Sequence, residues 1–210
     1  MKKAIISILL IIIALVLVHI IRNYTILTKI QNNSSKYTDN DNYHMRIISN
    51  RDDGTLLTTN YYKKGNKKVV FIERELNNEK SKISIYDDGN THHMYTESND
   101  AKVANLDSGF IEVQLTNITE TDSFIQKVIA SFCSNIRTIN ENGEKYYSIA
   151  NFVSPNVLSS PAQVIHVDTE TGLVITMIEE DSIVKREYEF DNVEDIVFIE
   201  PNISEYEIIK

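Results

Sequence analysis

With 210 residues, 42% of them hydrophobic and 24% charged, the chain has the make-up of a globular domain of ordinary size, not of a collagen-like, low-complexity or wholly disordered polymer. A single cysteine excludes an intramolecular disulfide framework and a CxxC-type zinc site, and a net charge of −9 argues against nucleic acid as a partner. The charge is unevenly placed: residues 1–30 carry +4 and the remainder −13, a basic, apolar start on an acidic body that implies two environments.

Residues 4–21, AIISILLIIIALVLVHII, hold His19 as their only strongly polar member. Eighteen helical residues rise about 27 Å, close to the hydrocarbon core of a bilayer. The run is longer than the apolar stretch of a cleaved signal peptide. No small-x-small cleavage pattern follows it, and no lipobox cysteine is present, because the lone cysteine is Cys133. The segment 1–22 therefore reads as a transmembrane signal anchor, with a cleaved signal peptide as the alternative. Lys2 and Lys3 on one flank, against Arg22 and Lys29 on the other, favour a cytoplasmic N-terminus and an extracytoplasmic body in the cell membrane. His19 is assigned no role.

Residues 23–42 are polar and lack sustained periodicity, as expected of a tether, and the folded body is expected over 43–210. Period-2 alternation begins at Tyr43, Met45 and Ile47. Further strands are predicted at 55–63, 67–74, 81–87, 91–96, 110–116, 145–152, 163–168, from Leu173 to Met177, and at 183–190. KKGN at 63–66, DDGN at 87–90 and TETG at 169–172 supply glycines for hairpin turns. One segment has helical spacing: in 123–137, Phe124, Ile125, Val128, Ile129, Phe132, Cys133 and Ile136 form an apolar stripe. Ser123 and Gln126 resemble a capping box, and Asn142-Gly143 a stop. The expected class is α+β: an N-terminal transmembrane helix, then a large curved antiparallel sheet of about ten strands, a half-barrel packed on one main helix. One helix covers only part of such a sheet, leaving an apolar groove suited to a lipid tail, a hydrophobic peptide or a partner protein.

Catalytic signatures are missing. No GxGxxG, P-loop, HExxH, GxSxG or SxxK pattern occurs. His92 and His93 are adjacent, so a strand sends them to opposite faces. Cys133 reads as a buried structural thiol, and the acid runs Glu179-Glu180-Asp181 and Glu194-Asp195 as solvated surface. Tyr61-Tyr62 and Tyr146-Tyr147 each place one ring on either side of a strand. The Asn-x-Ser/Thr triplets read as chance in a chain rich in Ile, Asn and Lys.

The stretch QVIHVDTETGLVITMIEED, residues 163–181, is similar to the strand–D-x-x-T-G-L–strand hairpin of the LolA/LppX/RseB-like extracytoplasmic superfamily. REYEFDNVEDIVFIEPNISEYEI, residues 186–208, resembles the ending common in its Gram-positive members, and more narrowly that of clostridial proteins related to the germination lipoprotein GerS. The resemblance implies a half-barrel that binds lipids, lipoproteins or regulatory partners without catalysis. It also implies a link to sporulation or germination and a cell-wall amidase-type partner, with the anchor standing in for the missing lipid. The expectation is a membrane-anchored, non-catalytic binding module for a protein partner, or alternatively a lipid or lipoprotein carrier. No catalytic residue, metal or cofactor is assigned. The groove or interface is assigned to Phe124, Val128, Phe132, Ile136, Tyr146, Tyr188 and Phe190.

Overall fold

The computed structural model describes residues 2–77, 79–106, 109–110, 115, 124–150 and 164–209. The fold is α+β, in two compact units. The first joins Met1–Thr38 to Leu115–Glu180, and the second joins Asp39–Gln114 to Asp181–Lys210.

The first unit opens with helix α1, Lys2–Thr38. Its apolar stretch is long enough to cross a membrane, and none of it is buried within the protein. The helix does not stop there. Residues 23–38, expected as an irregular tether, continue it and bury Asn23, Leu27, Ile30 and Ser34 along one stripe. Two members of that stripe, Asn23 and Ser34, are polar, so the i, i+4, i+7, i+11 spacing leaves no apolar signature in the sequence. Helix α2, Phe124–Cys133, is followed at once by β7 (Asn135–Glu141), β8 (Glu144–Ala150), β9 (Val164–Asp168) and β10 (Val174–Ile178). The antiparallel order is β10-β9-β8-β7.

The helix expected over 123–137 is thus shorter at its C-terminal end, and Ile136 is a strand residue opposite Ile149. Asn142 and Gly143 are not a helix stop but the β7–β8 hairpin turn, both at positive φ, 52° and 86°. That is the Asn-Gly preference of a two-residue hairpin. The core packs Leu27 and Ile30 of α1 on Ile136, Tyr147, Ile149, Ile165, Val167 and Val174, with Ala130 from α2 at its margin. The sheet is therefore covered by the second half of α1, not by α2 as expected. Cys133, expected to be buried, is exposed.

The second unit carries β1 (Asn42–Arg51), β2 (Leu56–Lys64), β3 (Lys67–Leu76), β4 (Glu79–Asp87), β5 (His92–Glu97), β6 (Lys102–Asn105), β11 (Ser182–Phe190) and β12 (Glu207–Ile209). Their order is β12-β6-β5-β4-β3-β2-β1-β11, antiparallel except for the parallel β12–β6 pair. With the four strands of the first unit, twelve lie among the described residues. β6, β7 and β12 lacked an alternation signal, whereas the strand expected at 110–116 lies mostly outside the described residues, as do Ser123 and the end of the 145–152 strand. The glycines of the three expected turns, Gly65, Gly89 and Gly172, all take positive φ.

Pairing sorts the second unit's side chains by face. One face holds Met45, Tyr61, Val70 and Ile85 in register, all buried, and Phe110 lies 6.4 Å from the Tyr61 ring. The opposite face holds Tyr62, Val69, Phe71, Tyr86, Tyr95 and Ala104, and the chain after β11 closes over it with two short 3-10 turns, Asp195–Phe198 and Ile203–Glu205.

Candidate functional site

On that second face the rings form a diagonal ladder. Tyr62 meets Phe71 at 5.9 Å, Phe71 meets Tyr86 at 6.0 Å, Tyr86 meets Tyr95 at 5.8 Å and Tyr95 meets Tyr206 at 5.1 Å, each nearly edge to face. The register explains the diagonal, because Tyr62 pairs with Val69, two residues before Phe71, and Tyr86 pairs with His93, two before Tyr95. Cross-strand diagonals of this length suit aromatic contact. His44 extends the ladder by stacking on Tyr62 at 4.2 Å.

The C-terminal strap is held to this face by carboxylates. Glu200 accepts from the Tyr95 hydroxyl at 2.6 Å and pairs with His93 Nδ1 at 2.8 Å. The Tyr206 hydroxyl donates to Glu97, and Lys64 donates to the Val193 carbonyl at 3.0 Å and pairs with Asp195 at 3.1 Å. Burial, reinforced by Glu200, raises the Tyr95 phenol well above its ordinary range. Burial also pushes Tyr86 up to about 12, and burial with the Glu97 bond raises Tyr206. His92 lies on the other face beside the buried Asp87, at 3.5 Å, so the two adjacent histidines do point apart.

Beyond the ladder the same face becomes charged. Thr58, Glu73, Lys82 and Glu97 occupy one register row, and Glu75 pairs with Lys80 at 3.3 Å in the next. These rows line an open cleft of about 400 Å³, with Leu56, Arg74, Ser98 and Asn99 at its edges. It offers alternating charge and hydrogen-bonding groups, and among its described lining residues Leu56 is the one hydrophobic side chain. Among the described residues no group of three or more His, Cys, Asp or Glu side chains is arranged to hold a metal ion.

The residues expected to form a groove are distributed differently. Ile136 is core. Phe124 and Phe132 are 68% and 57% exposed on α2, and Val128 is half-buried between them. Tyr146 turns away from the first unit's core to meet the His166 ring at 4.6 Å, its hydroxyl donating to Glu141. Tyr188 and Phe190 sit together in the second unit, rings 6.4 Å apart, with Phe190 against Tyr43. The cleft residues Glu73, Lys82 and Glu97 were missed because charges alternating along a strand read as ordinary solvated surface, and Glu200 because it lies in the irregular chain between the two 3-10 turns.

The Asp-x-x-Thr-Gly hairpin has a clear local role. Asp168 accepts from the Glu170 and Thr171 amides and from the Thr171 hydroxyl, at 3.0, 2.6 and 2.7 Å. This knot presses Gly172 against α1, where Asn33 donates to the Thr169 carbonyl at 3.2 Å. The motif thus docks a hairpin on a helix and presents no reactive group. No family model and no curated protein matches the chain, so the likeness of residues 163–208 to the LolA-like superfamily rests on those residues alone.

Proposed function

We propose that the protein is a membrane-anchored, non-catalytic binding module whose body lies outside the cytoplasm and recognises a protein partner. The observation that carries this reading is the character of the second unit's cleft: open, about 400 Å³, and walled by Glu73, Glu75, Lys80, Lys82 and Glu97. A charged, shallow surface of this kind suits a polar segment of a protein, whereas an acyl chain needs an enclosed apolar wall. The apolar run of α1 supports the anchor, and the acidic charge of the body supports a separate aqueous compartment. The resemblance of residues 163–208 to GerS-related proteins gives the reading its specific form, a regulator of a cell-wall amidase-type enzyme in sporulation or germination. The candidate groove residues Tyr188 and Phe190 would then form a second contact surface on the same unit.

The test is capture of partners from membranes with the anchor intact, comparing the native chain with Lys82→Glu and Arg74→Glu. A discrete protein recovered by the native chain and lost by both variants is the expected result. Recovery of acyl lipid alone, unchanged by the substitutions, would replace this reading with the lipid or lipoprotein carrier.

A further inference from the structure

Helix α2 is packed inside out. On a helical wheel Phe124, Ile125, Val128, Ile129, Phe132 and Cys133 share about half of the circumference, and Ala130 and Ser131 lie opposite. A helix covering a core buries its oily side. Here the small and polar side is buried, with Ala130 and Ser131 inward, while Phe124, Ile125, Ile129 and Phe132 face out.

The placement of α2 on α1 is equally specific. Asn23, wholly buried, donates from its side-chain amide to the carbonyls of Ser131 and Ser134 at 2.9 and 2.7 Å. Tyr24, the next residue, meets the Phe124 ring at 6.0 Å. The two ends of α2 are therefore held by adjacent residues of α1. Two helices running side by side would instead match positions seven apart on one with positions seven apart on the other. So α2 lies across α1, at the level of Asn23 and Tyr24. Arg22 adds a bond just past the exit from α2 by donating to the Ile136 carbonyl at 3.2 Å.

That level is the end of the apolar run. Residues 4–21 fill about 27 Å of helix, so Arg22, Asn23 and Tyr24 fall where a spanning helix leaves the hydrocarbon and where arginine and tyrosine are favoured. We infer that α2 is an interfacial helix whose Phe124, Ile125, Ile129 and Phe132 insert into the acyl–headgroup boundary of the bilayer that α1 spans. The inference rests on the membrane-anchor reading of α1. It assigns the exposed apolar face to lipid because that face is continuous, through Tyr24, with the lipid-facing surface of the span. The crossed arrangement gives the anchor a fixed depth and orientation, which a single spanning helix lacks.

The test uses the full chain in bilayers of phosphatidylcholine and phosphatidylglycerol, on a Cys133→Ser background, with a nitroxide placed by Ile129→Cys and, separately, by Phe132→Cys. Ile12→Cys in the apolar run supplies the lipid reference, and Glu144→Cys, at the exposed start of β8 beside the β7–β8 turn, the aqueous one. Both α2 labels are expected to collide freely with oxygen and poorly with a water-soluble nickel chelate, as the label at position 12 does. If they instead match position 144 while position 12 remains in lipid, the interfacial assignment fails and the anchor stands. If position 12 is also aqueous, both fail together. Strong dipolar broadening between α2 labels of neighbouring molecules would overturn the assignment in favour of a second copy as the occupant.

Discussion

Gly172 lies against the backbone of α1 at Ile30: a β-carbon at this position would collide with the Ile30 carbonyl oxygen and stand 2.9 Å from the Ser34 amide nitrogen. The contact is between main chains, so no side-chain rotation relieves it, and Gly172 also has φ of +71°. At this residue the β9–β10 turn meets the helix backbone, beside the bond from Asn33 to the Thr169 carbonyl.

Gly172→Ala is therefore expected to destabilise the first unit by roughly 2–4 kcal/mol, combining the left-handed backbone with the collision. Gly143→Ala is the control, because φ there is +86° with open space around the added carbon, and it should cost about 1–2 kcal/mol. Denaturant titration of the detergent-solubilised chain checks both; equal losses would mean that the helix contact contributes nothing.

Asn23→Ala removes both donors from the Ser131 and Ser134 carbonyls and leaves buried acceptors unpaired. A loss of about 1–3 kcal/mol is expected, together with faster amide exchange confined to α2 and the start of β7. Exchange that accelerates evenly over the whole unit would show that Asn23 is only a packing residue.

Phe132→Ala and Ile136→Ala should separate sharply in detergent. Ile136 is 1% exposed and in the core, so its truncation should cost about 2–5 kcal/mol. Phe132, more than half exposed, should change stability by less than ~1 kcal/mol. A large loss at Phe132 would place its ring in a packed interior.

The strap over the aromatic ladder should loosen in alkali. Burial raises the phenols of Tyr86, Tyr95 and Tyr206 above the ordinary value of 10.0, Tyr86 to about 12. A raised folded-state value favours the neutral phenol in the native protein, so this contribution is complete below pH 10 and is lost as pH rises from there toward about 12. Thermal melts across that window, followed beside tyrosinate absorbance, should show the midpoint falling as the buried phenols ionise. Phenols that titrate at 10.0 with no change in the melt would count against the buried ladder.

Much of the second unit was legible in the sequence because its signals are local. Alternation at the start of β1 and along β11, and glycines in KKGN and DDGN, specify strands and tight turns without knowledge of what packs on them. The adjacent pairs His92-His93 and Tyr61-Tyr62 were correctly divided between faces for the same reason. The first unit was harder to read. The contacts that α1 makes within it involve Asn23, Leu27, Ile30, Ser34 and Gly172, a mixture whose burial reflects close approach more than hydrophobicity. The cleft was missed because Glu73, Lys82 and Glu97 gain meaning only when strands distant in sequence bring them into one row.

By itself the sequence determined the apolar run, the strand periodicity, the turn glycines and the amphipathic character of residues 124–133. Those properties are set by the chain's nearest neighbours and by 2.0- and 3.6-residue repeats. Which side of α2 is buried was decided only in three dimensions. An apolar arc states that a helix must find a nonpolar environment, and it does not say whether that environment is a protein core or something outside the protein. Leu27 and Ile30 of α1 occupy the sheet's oily face, and α2, bonded to Asn23, presents its own apolar side outward.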